Sequence, residues 1–350
     1  MATIVLTGGG TAGHVTPHLA ILPYLKKDFD KIYYIGSKFG IEKGIIEKAD
    51  IPYYDVPCVK LNRRFTLKNV KIPFVLISGV KKAGKILDKI KPDVIFSKGG
   101  YVALPVVLAG AKRKIPIITH ESDYTIGLAN KISAKYSAKN LTSFPHTATT
   151  IKKGVYVGSP IRQKIYNKST QNNYSRFNFS GKKPVLLVTG GSQGAMAINV
   201  NLRLALPKLI DKFDIIHICG KGNLDEKIEY KGYFQTEYLS DIEHAFSITS
   251  VCVSRAGSNT LFELLSLNIP TLLIPLPKGV SRGDQILNAE YFEKLGITTV
   301  LNQESLSPDS LSAQIYATYN NRAILMKNFE NAPIKDASRK ISNIIASYKK

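Results

Sequence analysis

A short β-branched run followed at once by a glycine-rich turn occurs twice in the chain, and this repeat constrains the fold more than any other feature. The first copy reads Ile4-Val-Leu-Thr-Gly-Gly-Gly-Thr-Ala-Gly-His14, and the second reads Val185-Leu-Leu-Val-Thr-Gly-Gly-Ser-Gln-Gly194. A strand that ends in such a turn before a helix is typical of the first βα unit of a Rossmann-like domain. The repeat therefore predicts an α/β protein with two such domains, which face each other across a cleft.

Other apolar runs alternate with helical stretches in both halves of the chain, and this rhythm indicates parallel sheets with crossover helices. The polar segment from Asn167 to Lys183 separates the two sets, and we expect the domain boundary near it. A chain of 350 residues, 44% of them hydrophobic, is long enough to bury two cores of ordinary size. The predicted strands are Thr3–Thr7, Lys31–Gly36, Asp93–Ser97, Ile115–Thr119, Val185–Thr189, Asp214–Cys219, Val251–Ser254 and Thr271–Pro275.

The sequence has the features of a protein that stays in the cytoplasm. Its longest charge-free runs are far shorter than the roughly 20 apolar residues that a transmembrane helix needs. The amino terminus enters the first predicted strand without the basic and apolar regions of a signal peptide. Cys58, Cys219 and Cys252 lack the spacing of a zinc site or a disulfide framework, so we expect three reduced thiols.

The net charge of +22 indicates an anionic partner. Residues 1–163 carry 26 Lys and Arg against 10 acidic residues, so most of the charge lies in the first half. Within it, Lys60 to Lys91 holds ten basic residues and one acid, Asp88, with apolar residues interleaved. Two interpretations stay open: a solvated lysine-rich helix face, or a patch that binds an anionic membrane surface. Nucleic acid is disfavoured as a partner, because no binding module accompanies the charge.

Both glycine turns have the chemistry of a phosphate-binding loop, because glycines let backbone amides and a helix N-terminus approach an anion. Gly8, Gly10 and Gly13 have the spacing of a dinucleotide-binding fingerprint. The second predicted strand, however, ends without the acidic residue that holds a ribose in NAD enzymes. We therefore expect two phosphorylated substrates rather than a nicotinamide cofactor.

A third polar turn leads from a strand into a helix at Ser254-Arg-Ala-Gly-Ser-Asn-Thr-Leu-Phe-Glu263. Its free amides and hydroxyls suit a nucleoside diphosphate, and Glu263 can accept hydrogen bonds from both hydroxyls of a ribose. The alternative is structural: Ser258 and Thr260 cap the helix, and Glu263 interacts with its dipole. Further along, Asp284 and Gln285 can bind the hydroxyls of a sugar.

Together and in this order, the motifs resemble those of the MurG family of peptidoglycan glycosyltransferases over essentially the whole chain. The matching pieces are Gly8-Gly-Gly-Thr-Ala-Gly-His-Val-Thr-Pro17, Ser97-Lys-Gly-Gly-Tyr101, His120-Glu121 with Gly127-Leu-Ala-Asn130, Gly190-Gly-Ser-Gln-Gly-Ala195, Arg255-Ala-Gly, Glu263 and Asp284-Gln285. The resemblance implies a GT-B fold, in which two Rossmann-like domains with parallel sheets face a central cleft. It implies inverting transfer of N-acetylglucosamine (GlcNAc) from UDP-GlcNAc to the 4-hydroxyl of undecaprenyl-linked muramoyl-pentapeptide (lipid I), with no cofactor.

The resemblance also implies a role for each part of the chain. Residues 1–163 would bind the acceptor and dock on the anionic cytoplasmic face of the cell membrane, which makes the protein peripheral there. Residues 164–330 would bind UDP-GlcNAc. Residues 331–350, with a final helix such as Ile334–Tyr348, would return toward the first domain.

By position, His14 resembles the general base of the family, and a histidine suits that task because its pKa lies near ambient pH. The alternative is that His14 only orders the glycine turn; His18, one turn further, is expected to pack in the core. The substrate-binding residues that the resemblance implies are Thr11, Ala12 and Gly13 for the donor sugar and acceptor pyrophosphate, Ser192 and Thr260 for the diphosphate, Glu263 for the ribose, Leu239 for the uracil, Arg162 for the nucleotide region, and Ser258, Asn259, Asp284 and Gln285 for the GlcNAc side.

The chain departs from the family pattern at two places. It reads His120-Glu-Ser-Asp123 where the family usually has His-Glu-Gln-Asn, so Asp123 is an alternative base and substrate contact, and a usual glutamine pair becomes Asp284-Gln285. Two other functions stay open: a GT-B enzyme that glycosylates another lipid in glycolipid synthesis, and a non-catalytic sugar-nucleotide-binding protein. No metal is predicted, because Asp28-Phe-Asp30 precedes the second strand, at the edge of the sheet opposite the glycine turns.

Overall fold

A computed structural model describes residues 1–60, 72–166, 173–191, 194–279, 282–330, 332 and 336–350. The chain divides into two compact units. The N-terminal unit comprises Met1–Arg162 together with Asp336–Lys350, and the C-terminal unit comprises Gln163–Lys335.

The described part of the N-terminal unit contains a seven-stranded parallel sheet in the order β3-β2-β1-β4-β5-β6-β7. β1 and β4 lie at its centre, and every residue of both strands is buried. The strands are β1 (Thr3–Thr7), β2 (Lys31–Ser37), β3 (Tyr53–Val56), β4 (Val94–Ser97), β5 (Ile117–Glu121), β6 (Lys139–Thr142) and β7 (Gly154–Tyr156). The helices that connect them are α1 (Thr16–Asp28), α2 (Ile41–Glu47), α3 (Ile72–Ile90), α4 (Leu104–Lys112), α5 (Leu128–Ser133) and α6 (Pro145–Thr150).

The described part of the C-terminal unit repeats this plan with a six-stranded parallel sheet in the order β10-β9-β8-β11-β12-β13. Its strands are β8 (Val185–Thr189), β9 (Asp214–Ile218), β10 (Tyr233–Thr236), β11 (Thr249–Ser254), β12 (Thr271–Leu273) and β13 (Thr298–Val300). Its helices are α7 (Asn173–Arg176), α8 (Met196–Leu209), α9 (Ile242–Ile248), α10 (Ser258–Ser266), α11 (Asp284–Lys294), α12 (Pro308–Asn320) and α13 (Arg322–Glu330). The prediction of two parallel-sheet, Rossmann-like units is confirmed.

The last helix, α14 (Ser338–Ala346), packs on α1 in the N-terminal unit. Its buried face places Ile341 and Ile345 in the core cluster that also holds Ile21 of α1. The Ile161 N–H donates to Asp336 Oδ1 and Ser338 Oγ, both at 3.1 Å. These hydrogen bonds connect the N-terminal end of α14 to the end of the segment Met1–Arg162. The helix begins later than the predicted Ile334, a residue that lies outside the described ranges.

Two details of the strand prediction are wrong. The strand predicted at Ile115–Thr119 runs from Ile117 to Glu121, because Pro116 has no N–H for the ladder and the Ile115 N–H donates to Gly110 O in a turn. The prediction also missed strands β3, β6, β7, β10 and β13. Most of these lie toward the sheet edges, and they are short and carry polar or half-buried residues, so their hydrophobic pattern is weak.

Each sheet has one point at which the chain reverses its direction of strand addition. In the N-terminal unit this switch point lies between β1 and β4, and in the C-terminal unit it lies between β8 and β11. In open parallel sheets, ligands bind outside the carboxyl ends of the strands at such a point. The topology therefore predicts ligand sites at the turns that follow β1, β4, β8 and β11.

Candidate functional site

The two turns at the N-terminal switch point pack directly against each other. Gly10, after β1, has φ of 85°, and Gly100, after β4, has φ of 78°, which are left-handed conformations that favour glycine. A Cβ on Gly10 would lie 2.5 Å from the Tyr101 ring, and a Cβ on Gly100 would lie 2.3 Å from Gly9 O. The glycines are therefore required for the close approach of the two turns.

His14 lies where the first turn enters α1. It ends a 3-10 turn formed by Ala12–His14, and its Nδ1 lies 2.9 Å from Thr11 Oγ1. Thr11 is exposed, and Ala12, Gly13 and His14 are partly exposed. In the tautomer whose Nδ1–H donates to Thr11, Nε2 carries the lone pair that a general base requires. The structure brings these predicted residues together at the switch point; their roles stay predictions.

His18 packs in the core, as predicted. It is fully buried, and its ring makes edge contacts with Tyr34 and Phe96 at centroid distances of 5.3 and 5.5 Å. Burial, with the charge of Lys98 as a smaller cause, lowers the pKa of His18 to about 3, so its ring is neutral near pH 7.

The third turn at this edge follows β5 and carries the unusual Ser122-Asp123 pair. The Glu121 carboxylate accepts backbone N–H groups from Ser122 (2.9 Å), Asp123 (3.1 Å) and Gly127 (2.9 Å), together with the Asn130 side-chain amide (2.9 Å). Glu121 is thus the anchor of the loop from 122 to 127. Asp123 is partly exposed on that loop, at the same edge of the sheet as His14.

Sequence reasoning missed Glu42, a fully buried carboxylate beneath the first glycine turn. It accepts the Ser37 N–H at 3.0 Å, the Ser37 hydroxyl and the Gly10 N–H at 3.3 Å. An acid does therefore follow the second strand, but its oxygens bind the turn itself rather than facing a ribose. The sequence pattern that could have identified Glu42 is an acidic residue in the first turn of α2, the helix that follows β2.

Sequence reasoning also gave no role to Lys98, in the Ser97-Lys-Gly-Gly-Tyr101 motif. Its side chain is buried, and Nζ lies 2.5 Å from His120 Nδ1 and 2.6 Å from Ser122 Oγ. Burial lowers the pKa of Lys98 to about 7, and the nearby Glu121 and Asp123 carboxylates oppose that shift. Burial and the Lys98 charge hold the pKa of His120 well below its usual value.

The C-terminal switch point has a corresponding glycine turn after β8. Gly191 and Gly194 have φ of 80° and 71°, and a Cβ on Gly194 would lie 2.2 Å from Cys219 O. The Gly191 N–H donates to Thr189 Oγ1 at 3.3 Å. Ser192, the predicted diphosphate contact in this turn, lies outside the described residues.

The turn after β11 leads into α10, and the predicted donor residues lie on its first two turns. Gly257 occupies the N-cap position and Ser258 is the first helical residue, so Ser258 and Thr260 do not act as N-caps. The alternative in which Ser258 and Thr260 cap this helix is therefore wrong. The first N–H groups of a helix have no intrahelical partner and suit an anion. Ser258 is buried, whereas Asn259, Thr260 and Glu263 are partly exposed.

Side chains from α11 connect this turn to the loop after β12. Gln285 Oε1 accepts the Leu276 N–H at 3.1 Å, and the Asn288 side-chain amide donates to Ala256 O at 3.1 Å. Arg255 donates to Ile274 O at 3.0 Å and to Pro275 O at 3.2 Å. The two loops therefore form one polar rim, at which the predicted Gln285 lies. Asp284 begins α11 and accepts from Arg282 at 3.3 Å.

The two remaining predicted contacts lie in different units. Leu239 is partly buried in the turn that follows β10, and so lies at the same sheet edge as α10. Arg162 is the last residue of the first segment of the N-terminal unit. The assignments to uracil and to the nucleotide region stay predictions.

Neither a metal cluster nor a membrane-spanning helix is found within the described ranges. Asp30 accepts the Ala2 N–H at 2.7 Å, and Asp28 ends α1 and forms an ion pair with Lys349 at 3.4 Å. Because Ala2 precedes β1, this pair of aspartates lies at the amino edge of the sheet. The predicted position, opposite the glycine turns, is confirmed.

Comparison with known proteins covers both units. The sequence model of the glycosyltransferase family 28 N-terminal domain matches residues 4–142, and that of the family 28 C-terminal domain matches residues 185–344. Two relatives carry the name UDP-N-acetylglucosamine–N-acetylmuramyl-(pentapeptide) pyrophosphoryl-undecaprenol N-acetylglucosamine transferase. The Lachnospira eligens protein is 46% identical over 99% of both chains, and transferase 3 of Bacillus thuringiensis is 50% identical over 92% of this chain and 93% of its own.

Two solved structures share the fold. The crystal structure of Acinetobacter baumannii MurG matches with a TM-score of 0.76 at 23% identity, covering 99% of this chain and 100% of that one. The kitacinnamycin glycotransferase matches with a TM-score of 0.76 at 13% identity, covering 99% of each chain. The predicted GT-B fold is confirmed.

Proposed function

Because the chain belongs to glycosyltransferase family 28, we propose that it transfers GlcNAc from UDP-GlcNAc to the 4-hydroxyl of undecaprenyl-linked muramoyl-pentapeptide. The observation that carries this proposal is the relatives named for the same transfer, which are 45 to 50% identical over most or all of the chain. The two glycine turns at the switch points are consistent with a reaction that brings together two diphosphate-bearing substrates.

The donor fits the C-terminal unit. We assign the diphosphate to the N-terminus of α10, where Thr260 lies on the first turn, and the ribose to Glu263 on the next turn. Helix amides offset the charge of the departing UDP without needing a metal ion. The partly exposed Gln285 at the polar rim then faces the GlcNAc side.

The acceptor fits the N-terminal unit. Its pyrophosphate is assigned to the turn formed by Thr11, Ala12 and Gly13, whose residues are exposed or partly exposed. His14 then accepts the proton of the 4-hydroxyl as that oxygen bonds to the anomeric carbon and the bond to UDP breaks. One displacement on an α-linked donor gives a β-linked product. Asp123, on the loop that Glu121 anchors, is the alternative proton acceptor.

We further propose that the N-terminal unit binds the anionic cytoplasmic leaflet through a groove between α3 and α4. Phe74 and Ile77 on α3 are 72% and 54% exposed, and Ile77 belongs to a contiguous apolar groove, which is the kind of surface that marks a partner or membrane contact. Lysines lie beside them, as expected for a surface that meets anionic lipid. The groove has a volume of about 440 Å³ and is lined by Leu76, Ile77, Val80, Lys81, Leu108, Ala111, Lys112 and Tyr136. The first part of the basic stretch, residues 61–71, lies outside the described ranges.

The transfer is tested by incubating the purified chain with labelled UDP-GlcNAc and lipid I, and by following label in the lipid fraction. We expect label in a β-linked disaccharide on the lipid. Diacylglycerol replaces lipid I in a parallel reaction, and label in that lipid alone would favour the glycolipid alternative. UDP-GlcNAc binding without turnover on either lipid would favour a non-catalytic binding protein.

A further inference from the structure

Lys98 is buried directly beneath the glycine turns of the N-terminal unit. It follows β4 at the switch point, its N–H donates to Thr7 O at 3.0 Å, and its side chain is 1% exposed. A Cβ on Gly8 would lie 3.3 Å from Lys98 Cβ, so the lysine stem fills the space under the first turn. A buried amine is unfavourable unless it is hydrogen-bonded. Its partners therefore indicate what it does.

The hydrogen bonds around Lys98 have a fixed direction. His120 Nε2 lies 3.0 Å from Gly158 O, and a carbonyl only accepts, so Nε2 carries the hydrogen and Nδ1 is the acceptor. Lys98 Nζ is thus the donor at the 2.5 Å contact with His120 Nδ1, and it donates to Ser122 Oγ at 2.6 Å. The amine joins the end of β5 to the first residue of the following loop.

That loop carries Asp123, and two groups hold it in place. Glu121 binds its backbone through three N–H groups, whereas Lys98 binds the Ser122 side chain. The titratable groups that face Lys98 are His18 from α1, and His120, Glu121 and Asp123 from β5 and its loop. The carboxylates of Glu121, at the end of β5, and of Asp123, on the loop, thus interact favourably with a charged Lys98.

We propose that Lys98 is a positioning residue for the transfer, an inference that rests on the proposed function: its protonated amine holds the loop after β5 so that Asp123 lies in place at the acceptor side. Charge-assisted hydrogen bonds are roughly twice as strong as neutral ones, so loss of the proton weakens both contacts and removes the cation that faces the two carboxylates. Because the pKa of Lys98 is about 7, turnover should fall as pH rises through that value.

The rate experiment compares kcat from about pH 5.5 to about pH 9 for the wild type and three variants, with lipid I and labelled UDP-GlcNAc. The wild type should show a descending limb with a midpoint near 7. Lys98→Arg keeps a charge over this range and should flatten that limb. Lys98→Met should lower kcat at acidic pH by about ten- to a hundredfold, as for a displaced reacting group, with the KM for UDP-GlcNAc near normal. Lys27→Met, an exposed lysine on α1, is the matched control and should behave as the wild type.

A second measurement is independent of turnover. In histidine-selective ¹⁵N NMR spectra, His120 should be the Nε2–H tautomer, and its Nδ1 shift should follow the Lys98 proton with a midpoint near 7. If lipid I is not a substrate, the rates fail together with the proposed function, and the NMR titration alone decides on Lys98. A His120 signal that does not respond over this range overturns the proposal. The proposal is also overturned if folded Lys98→Arg shows the same pH profile of kcat as the wild type. This comparison remains available if Lys98→Met does not fold.

Discussion

The two units build the carboxyl edges of their sheets by different means. In the N-terminal unit, buried ionisable side chains lie under the turns: Glu42 binds the Gly10 N–H, and Lys98 joins His120 to Ser122. In the C-terminal unit, the rim is held mainly by bonds to backbone, such as those from Arg255 to Ile274 O and Pro275 O. The N-terminal edge thus contains a buried amine whose pKa lies near 7, whereas the C-terminal rim is held by a guanidinium and by side-chain amides that bind backbone groups.

This difference matches a division of chemical tasks. Binding a nucleoside diphosphate needs amides that stay in place, and a helix N-terminus such as that of α10 provides them without any change of charge. Activating a hydroxyl needs a group that takes up a proton near neutral pH. The comparison is therefore consistent with the proposed binding of the donor by the C-terminal unit and the proposed proton transfer in the N-terminal unit, and each proposal can be tested separately.

The largest effect is expected for His14→Gln, which removes the titratable nitrogen but keeps the side chain near its original size. If His14 is the base, kcat should fall by roughly 10²–10⁴, and the acidic limb of the pH profile should flatten. The affinity for UDP, measured by calorimetry, should stay near that of the wild type, because the residues proposed to bind the donor lie in the other unit. If the variant retains most of the turnover, His14 is not the base and Asp123 becomes the favoured proton acceptor.

The next effect is on stability, and it compares one buried histidine from each unit. The pKa of His18 and that of His217 are both lowered by burial to about 3 from 6.5. Above pH 6.5 both rings are neutral in the folded and unfolded chains, whereas between 6.5 and 3 only the unfolded chain takes up the protons. The free energy of unfolding should therefore decrease as the pH is lowered from 6.5 to 3, by up to about 4 to 5 kcal/mol for each histidine.

Replacement by leucine distinguishes the two histidines at neutral pH. His217 lies 2.8 Å from Tyr233 Oη and 2.9 Å from Asn199 Oδ1, so His217→Leu leaves the buried Asn199 and the half-buried Tyr233 without this partner and should cost about 2 to 4 kcal/mol. His18 packs against two aromatic rings, and His18→Leu should cost less than about 2 kcal/mol. Denaturant unfolding at pH 7 and pH 4.5 measures both quantities. Equal costs at pH 7 would contradict the assigned packing.

A smaller effect is expected at the donor site of the C-terminal unit. Glu263→Ala removes hydrogen bonds between the ribose and a charged group, which should cost roughly 1.5–3 kcal/mol, or about ten- to a hundredfold in UDP affinity. The variant Glu290→Ala removes a carboxylate from the exterior of α11 and serves as the control. Unchanged UDP affinity in Glu263→Ala, with normal folding, would remove the ribose assignment.

The sequence was most informative where chemistry and geometry are local. The two strand and glycine-turn units predicted both Rossmann-like sheets, because a glycine turn after a buried strand has few other uses. Edge strands such as β7 and β10 were missed, since half-buried residues give a weak alternation. The start of β5 was misplaced by two residues because the apolar pattern at Ile115 does not reveal that Pro116 cannot join the ladder.

The candidate site was predictable only in part, and for a physical reason. Gly10, His14 and Glu263 lie on turns or in the first two helical turns that follow a strand, so their position follows from that strand. Glu42 and Lys98 act through contacts with distant segments, Glu42 with Gly10 and Lys98 with His120. Such long-range contacts depend on strand order, which a single sequence does not display.

The smallest effect concerns the membrane surface proposed for the N-terminal unit, the groove between α3 and α4. Lys81 is exposed on α3 and lines the groove together with Ile77. A basic side chain near an anionic membrane contributes about 1 kcal/mol, so Lys81→Gln should weaken binding to anionic vesicles about fivefold. Lys231→Gln, an exposed lysine of the C-terminal unit, should leave vesicle binding unchanged. Sedimentation with vesicles of phosphatidylglycerol measures both, and equal effects would mean that the net charge of the whole chain, rather than the α3 groove, determines membrane binding.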